Sequence, residues 1–495
     1  MFSKTVISRL ALLCIAPVAL LLPASASVIN GPMLTHTTMH STLIWLQLSG
    51  PEPVTIEYWP ADQPESSRRT ALYHPRPEDA FVVKVLVNEG IQPGHRYHYR
   101  ILTGEDEVPF TPQYRSSYRP DELIPLTFQS KPRWRWVPNP ETRERHTIFD
   151  YRIAIGSCAY INEPGTDREG SRPYGDEYHI FESIYEKNPD LMLWMGDNVY
   201  YRENDFENRE GMIHRWTHDR AIPELRPLLA SSIHYAIWDD HDYGPNDIGS
   251  SYHLKETATE VFNLMWGNPS AGLPETPGLF TFVNWGDANI YFLDNRTHQD
   301  SFTDTSFGHS KKLLGRPQID WLINHLAWTK SQSLTDSKSY PARFNLIVIG
   351  SQVLNDSGPG DGLRNYPEEW QYLMDRITAE QIPNVIFLNG DVHYGEVNRV
   401  EHTYGETSLT MFEVTSSPLT AGPWAGKTTN PARYDIFPDG MDRVGQRNFV
   451  TLDFEGPLTD RRMVIRYWDS QGNLLNQQPG GEPGQPTPRS IIRAQ

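Results

Sequence analysis

A chain of 495 residues exceeds the about 100 to 200 residues usual for one domain, so two or more units are expected. Hydrophobic residues make up 38% and charged residues 21%, which excludes wholesale disorder. The formal charge of −18 disfavours duplex nucleic-acid binding, because affinity for a phosphate backbone comes from clustered Lys and Arg; an acid excess can bind cations or simply keep a surface solvated.

Residues 1–26 stand apart. Lys4 and Arg9 precede the apolar stretch Leu10 to Leu22, and Ala24-Ser25-Ala26 supplies the small residues of a cleavage site, so the segment reads as a signal peptide and the protein as exported, periplasmic or extracellular. The apolar run falls short of the roughly 20 residues that span a bilayer, and no stable membrane anchor is expected after cleavage. Cys14 follows Leu13, where a lipid-modified cysteine would want a small residue, and no twin arginine is present, which points to the general secretory route. Cleavage deepens the charge to −20 and leaves Cys158 as the sole thiol. It is either a buried small hydrophobe or a coordinated ligand.

Residues 28–135 read as all-β. The runs STLIWLQLSG, PVTIEYWP, FVVKVLVNEG and RYHYRILTG are rich in Val, Ile, Thr, Tyr and Trp and are separated by Pro and Gly turns, as in a β-sandwich packed as an accessory domain beside a second unit. The segment Ile91 to Tyr99 resembles the corner of fibronectin type III domains, in which a tyrosine hydroxyl ties a strand to the loop before it. A Pro- and Arg-rich connection, Lys131 to Arg145, leads to residues 146–475. There strands alternate with helical patterns: Tyr178 to Asn188 places Ile180, Phe181, Ile184 and Tyr185 on one face, and Arg316 to Ser331 places Ile319, Leu322, Ile323 and Leu326. Such alternation predicts α/β layering. The runs TSLTMFEVTSS, NFVTLDFEG and RRMVIRYWD add strands, while Ser250 to Thr276 and Thr297 to Gly315 read as loops. Residues 476–495, rich in Pro, Gly and Gln, read as a disordered tail.

Five apolar runs in this second unit end in metal-type donors: RIAIGSC158, LMLWMGD197NVY200, IHYAIWDD240H241D, FNLIVIGSQ352 and NVIFLNGD391VH393. In open α/β sheets ligands bind beyond the carboxyl ends of the strands, so five clusters at five strand ends converge on one polynuclear site. Two ions about 3.5 to 4 Å apart usually share a bridging carboxylate, and Asp197 is the natural bridge. Tyr200 alone would pass for a core aromatic, but a phenolate beside the Cys158 thiolate suits a hard ion such as Fe(III). The run Asp239 to Asp242 packs three carboxylates and an imidazole together, a costly arrangement unless a cation compensates the repulsion. Asp239 can equally be a structural hydrogen-bond acceptor, and Asn246 or Asp247 a stabiliser of the following turn. Asp391 and His393, two apart, share one face of an extended segment.

The motifs GSC158, GD197NVY200, WDD240HD, LDNR296, GSQ352 and GD391VH393, in this order, resemble the alkaline phosphatase D (PhoD) family of calcineurin-like metallophosphatases over nearly all of the chain after residue 26. The resemblance implies a four-layer metallophosphatase-type β-sandwich flanked by helices, behind the fibronectin type III-like domain. It implies Fe(III) on Cys158, Asp197, Tyr200 and His393, and Ca²⁺ on Asp197, Asp240 and Asp391 with help from Gln352; Zn²⁺ or Mn²⁺ are alternatives at the second position. The implied activity is hydrolysis of phosphomonoesters or phosphodiesters by a metal-bound hydroxide, with His241 stabilising the transition state or protonating the leaving oxygen. Arg296 either grips the phosphoryl oxygens or forms a structural ion pair. Asp239 and Asn246 are supporting candidates. A phospholipase D-like or nucleotide-directed enzyme of the same fold is the alternative, and a non-enzymatic envelope binding protein is disfavoured because every motif residue is intact.

Overall fold

The computed structural model describes residues 27–494 except 104–105, 108–124, 134–147, 169, 171–172, 302–310, 335–341, 357–359, 427–428 and 439–440. The expected signal segment, residues 1–26, and most of the Pro- and Arg-rich connection lie outside the described residues.

Two sheets face one another. The larger has nine strands in the spatial order Ile491–Arg493, Arg462–Asp469, Asn448–Glu455, Tyr151–Gly156, Leu191–Met195, Ile233–Ile237, Val28–Thr37, Thr42–Leu48 and Val82–Val87. The second has six, in the order Thr281–Trp285, Ala288–Phe292, Phe344–Val348, Val385–Asn389, Thr407–Thr415 and Glu396–Tyr404. Their central strands are parallel and buried on both faces, which is why they read as unbroken apolar runs. Side chains alternate between faces. Ile290, Phe292, Leu346, Val348, Ile386 and Leu388 point into the core shared with the large sheet. Their neighbours Tyr291, Ile347 and Phe387 pack on Ile319, Leu322, Ile323 and Leu326 of helix Arg316–Leu334 and on Leu373, Met374 and Ile377 of helix Pro367–Ala379. Helices Ile180–Glu186 and Arg226–Ser231 bring Ile180, Phe181, Ile184, Leu228 and Leu229 to the core of the large sheet. The outcome is helix, sheet, sheet, helix.

The N-terminal all-β region is not a self-contained sandwich. Strand Val28–Thr37 pairs in parallel with Ile233–Ile237, so three N-terminal strands continue the larger sheet. Among the described residues, only the strands Val54–Pro60, Arg96–Thr103 and the short ones beside them form a separate sheet, closing over a core of Ile44, Leu46, Val85, Tyr97 and Tyr99. The tyrosine corner is present: Tyr97 Oη accepts from the Gln92 N–H at 2.8 Å and donates to the Gly90 carbonyl at 3.3 Å.

Two further expectations are corrected. Ser250 to Thr276 contains the helix Lys255–Met265, whose Ala258, Val261, Phe262 and Met265 are buried. The C-terminal segment is folded: Asn476 is fully buried, its Nδ2 donating to Ile465 O at 2.9 Å and Ser490 Oγ at 2.7 Å, and Ile491–Arg493 pairs with Arg462–Asp469. Its composition resembles that of disordered chains, but one buried amide and three strand residues bind it to the sheet edge.

Candidate metal centre

The carboxyl ends of the parallel strands in both sheets meet at one place. Strand Tyr151–Gly156 runs into Cys158, Leu191–Met195 into Asp197, Ile233–Ile237 into Asp239 and Asp240, and Val385–Asn389 into Asp391 and His393. Small residues let the two rims approach. A Cβ on Gly390 would sit 1.9 Å from Ser157 Oγ, and one on Gly350 would sit 2.4 Å from Asp239 Cγ. Cys158, Asp197, Asp391 and His393 all hold positive φ, at 60°, 52°, 67° and 55°. Left-handed backbone at four non-glycine residues is disfavoured, and its concentration here marks a site where packing fixes the donors' direction.

Among the described residues three donor groups result, the ligand atoms in each lying within 4.8 Å of one another: Cys158, Asp197 and His393; Asp197, Asp240 and His241; and Asp239, Asp361 and Asp391. Asp197 belongs to the first two. Its Oδ2 accepts from Tyr200 Oη at 3.0 Å and lies 3.5 Å from Cys158 Sγ, while its Oδ1 accepts from the His241 N–H at 3.2 Å. Tyr200 Oη is also 3.0 Å from His393 Nε2. The other imidazole nitrogen of His393, Nδ1, lies 2.7 Å from the Gly422 carbonyl, which fixes the proton there and turns the Nε2 lone pair toward Tyr200. Ser417 Oγ donates to Cys158 Sγ at 3.1 Å and accepts from the His393 N–H at 3.0 Å.

Asp242 organises the loops. Its carboxylate accepts from the N–H groups of Asp239, Asp197 and Asn198 at 2.7, 3.2 and 3.1 Å and from Asn198 Nδ2 at 2.6 Å. The hydrogen bond from Asp239 N–H starts the short helix Asp240–Tyr243 and places Asp240 beside His241.

The electrostatics favour a cation. Burial, then Asp240 and Cys158, push the Asp197 carboxyl well above the usual carboxylate range. Burial, then Asp361 and Asp239, do the same to Asp391. Burial pushes the Cys158 thiol up as well. Asp239 Oδ2, Asp240 Oδ1 and Asp391 Oδ2 are buried without a hydrogen-bond partner. Orphaned carboxylate oxygens beside a thiol and an imidazole are the donor set of metal ions, and these residues fit that occupant.

Several sequence-based expectations meet different geometry. Arg296 is no phosphoryl clamp: it is wholly buried, its Nε donating to Asp239 Oδ1 and its Nη2 to Asp361 Oδ2, both at 2.6 Å, and its Nη1 to Gln299 Oε1 at 3.2 Å. Gln352 does not join the donors. Its Oε1 accepts from Asn355 Nδ2 at 2.8 Å, and its Nε2 donates to Glu396 Oε1 and Thr415 Oγ1 at 3.1 and 3.0 Å. Asn246 is exposed and bonds Asp247 Oδ2 at 2.6 Å, while the Asp247 N–H holds Asp240 Oδ2 at 2.8 Å. His241, assigned to proton transfer, comes within ligand range of Asp197 and Asp240. Sequence reasoning missed Asp361, which enters from a Gly-rich turn with no strand before it, and Tyr174, whose Oη lies 3.4 Å from His393 Nδ1.

Paired sheets whose parallel strands end in thiol, carboxylate and imidazole donors define a metallophosphatase-type fold. Within that class, residues 268–459 match the family model described as PhoD-like phosphatase. This span holds Arg296, Gln352, Asp391 and His393 and lies after Cys158, Asp197 and Asp240 in the chain. Alkaline phosphatase D of Bacillus subtilis (strain 168) is 23% identical over 379 residues, covering 68% of this chain and 57% of that protein, so the chain spans less than two thirds of this relative's length. A solved structure described as that of PhoD superposes with a TM-score of 0.67 at 16% identity, covering 95% of this chain and 91% of the other. A purple acid phosphatase from yellow lupin (Lupinus luteus) seeds superposes with a TM-score of 0.56 at 13% identity, covering 92% and 74%.

Proposed function

We propose that this protein is a metal-dependent phosphoesterase of the alkaline phosphatase D type, hydrolysing phosphomonoesters or phosphodiesters. The observation that carries the reading is Asp197, whose carboxylate lies within ligand range of Cys158 and His393 on one side and of Asp240 and His241 on the other. A single carboxylate between two donor groups is the arrangement that bridges two ions.

Fe(III) matches Cys158, Asp197, Tyr200 and His393, and Ca²⁺ matches the oxygen donors Asp197, Asp240 and Asp391, with Zn²⁺ or Mn²⁺ as alternatives. When bound, the cations supply positive charge that polarises a phosphoryl oxygen and lowers the pKa of water. The chain's own groups do the rest. Asp242 holds the Asp197 and Asp240 loops through backbone N–H groups, so the donors need no reorganisation when a phosphate arrives. The His241 ring lies 4.2 Å from the Tyr200 ring, centroid to centroid, tilted by 31°, and offers an imidazole to protonate the leaving oxygen. Ser417 and the Gly422 carbonyl keep Cys158 and His393 aimed inward.

Export is part of the proposal and rests on residues 1–26. No helix among the described residues is long and apolar enough to cross a membrane. An activity panel of monoester, diester and phospholipid substrates, run with metal analysis of the same preparation, tests the reading. Turnover of at least one ester by metal-loaded protein is expected; a fully loaded protein inert on all of them overturns it.

A further inference from the structure

Two aromatic side chains at the mouth of the centre are open to solvent, Trp424 at 43% and Tyr174 at 37% exposure. Both belong to the surroundings of His393. The Trp424 N–H donates to the His393 carbonyl at 2.8 Å. The Tyr174 ring stands 6.1 Å from the His393 ring, centroid to centroid, and 6.3 Å from that of Tyr200.

The Trp424 indole is exposed but not loose. The buried guanidinium of Arg443 lies 4.6 Å from the centroid of the Trp424 ring and 4.6 Å from that of Tyr394, bracing two rings whose own centroids are 5.6 Å apart. Tyr394 is anchored in turn by Asn355 Nδ2, which donates to its hydroxyl at 3.3 Å. The backbone of Gly426 presses on the indole as well: a Cβ there would come 2.5 Å from Trp424 Cζ2. An aromatic ring that is both solvent-exposed and immobilised has already lost the side-chain entropy that binding would otherwise cost, and it offers a flat apolar face.

The position of that face decides what it meets. Cys158, Asp197 and Asp240 are buried and Asp391 nearly so, and in the reading proposed above this donor cluster takes the phosphoryl end of an ester. The organic part of an ester cannot follow the phosphoryl group into that cluster. The exposed aromatic rings beside His393 that it can meet are those of Tyr174 and Trp424. We propose that Trp424, held by Arg443, Tyr394 and Gly426, selects phosphate esters whose leaving alcohol carries a flat aromatic ring, aryl or nucleoside. This inference rests on the phosphoesterase reading above and narrows its substrate class.

The test compares kcat/KM for adenosine monophosphate and for 4-nitrophenyl phosphate with kcat/KM for glycerol phosphate, in metal-loaded wild type, Trp424→Ala and Trp424→Phe. Stacking on one aromatic face predicts that Trp424→Ala lowers the aromatic-to-glycerol preference about tenfold and that Trp424→Phe restores most of it, at unchanged metal content. Loss of preference for both aromatic esters supports a general ring platform, and loss for the nucleotide alone narrows it to nucleosides. A preference ratio that stays constant in Trp424→Ala, whether all rates fall together or none does, overturns the inference and leaves the phosphoesterase reading standing. A wild-type protein that hydrolyses none of the three overturns the inference, and the diester and phospholipid arms of the panel above then decide the phosphoesterase reading.

Discussion

The hydroxyl of Tyr200 lies 3.0 Å from Nε2 of His393, a residue 193 positions further along the chain and on the opposite sheet. With Cys158 Sγ and Asp197 Oδ2 beside them, the two side chains complete a set of sulfur, phenol, carboxylate and imidazole donors. If that set holds Fe(III), the phenolate gives the protein a visible charge-transfer band. Purified holoprotein is expected to be coloured, and Tyr200→Phe to shift or abolish the band. A colourless, active and iron-free preparation contradicts the assignment.

Asp197 and His241 separate two roles. Asp197→Asn and Asp391→Asn are expected to lose bound metal and hydrolysis together, because each removes a buried carboxylate oxygen from the donor groups. His241→Ala is expected to keep its metals and to lose turnover, about 10²- to 10⁴-fold for a missing proton donor. The geometry also permits ligation by this imidazole, so metal content in His241→Ala decides the matter: loss of an ion there makes His241 a ligand.

The parts of this site that could be read from sequence are those that follow a strand. Buried parallel strands must be continuously apolar, so an abrupt Asp, Cys or His after LMLWM, RIAIGS or NVIFLNG stands out without any fold knowledge. Asp361 has no such preface, and only the folded chain brings it to Asp239 and Asp391. Continuity between the N-terminal strands and the larger sheet was equally hidden, since it rests on one parallel pairing, Leu34 with Ile233, across almost 200 residues. The helix Lys255–Met265 did leave a signal: Ala258, Val261, Phe262 and Met265 recur at helical spacing. Arg296 and Gln352 illustrate a different limit. A motif names a residue near the chemistry, but whether it faces the cleft or braces the wall depends on partners that no local pattern reveals.

Arg296 supports the wall. Its guanidinium is wholly buried between Asp239 and Asp361, and removing one partner from such a cluster leaves uncompensated charge. Arg296→Met is expected to lower unfolding free energy by about 3 to 5 kcal/mol, measured by urea denaturation. A variant of wild-type stability whose KM for a phosphate ester rises sharply would return the residue to a substrate-gripping role.

His234 carries a pH signature away from the metals. Its Nδ1 accepts from Trp194 Nε1 at 2.9 Å and its Nε2 donates to the Leu228 carbonyl at 3.0 Å, so both nitrogens are used by the neutral ring. Burial lowers its pKa to about 3. The unfolded chain takes up that proton near pH ~6.5, so the stabilising effect is complete above this pH and is lost as pH falls toward ~3. The stability difference between wild type and His234→Gln is therefore expected to shrink by about 2 kcal/mol between pH 7.5 and pH 5. A difference constant with pH contradicts the buried neutral assignment.

Hydrolysis by a centre built on Asp197 requires the ions themselves, and chelation with reconstitution tests this most directly. A single preparation is assayed for phosphate release before treatment with EGTA, after it, and after Ca²⁺ is added back, with iron and calcium measured at each stage. The account predicts that activity disappears with calcium while the iron colour persists, and that both calcium and activity return together. Undiminished hydrolysis by protein verified to contain neither iron nor a divalent ion would contradict it.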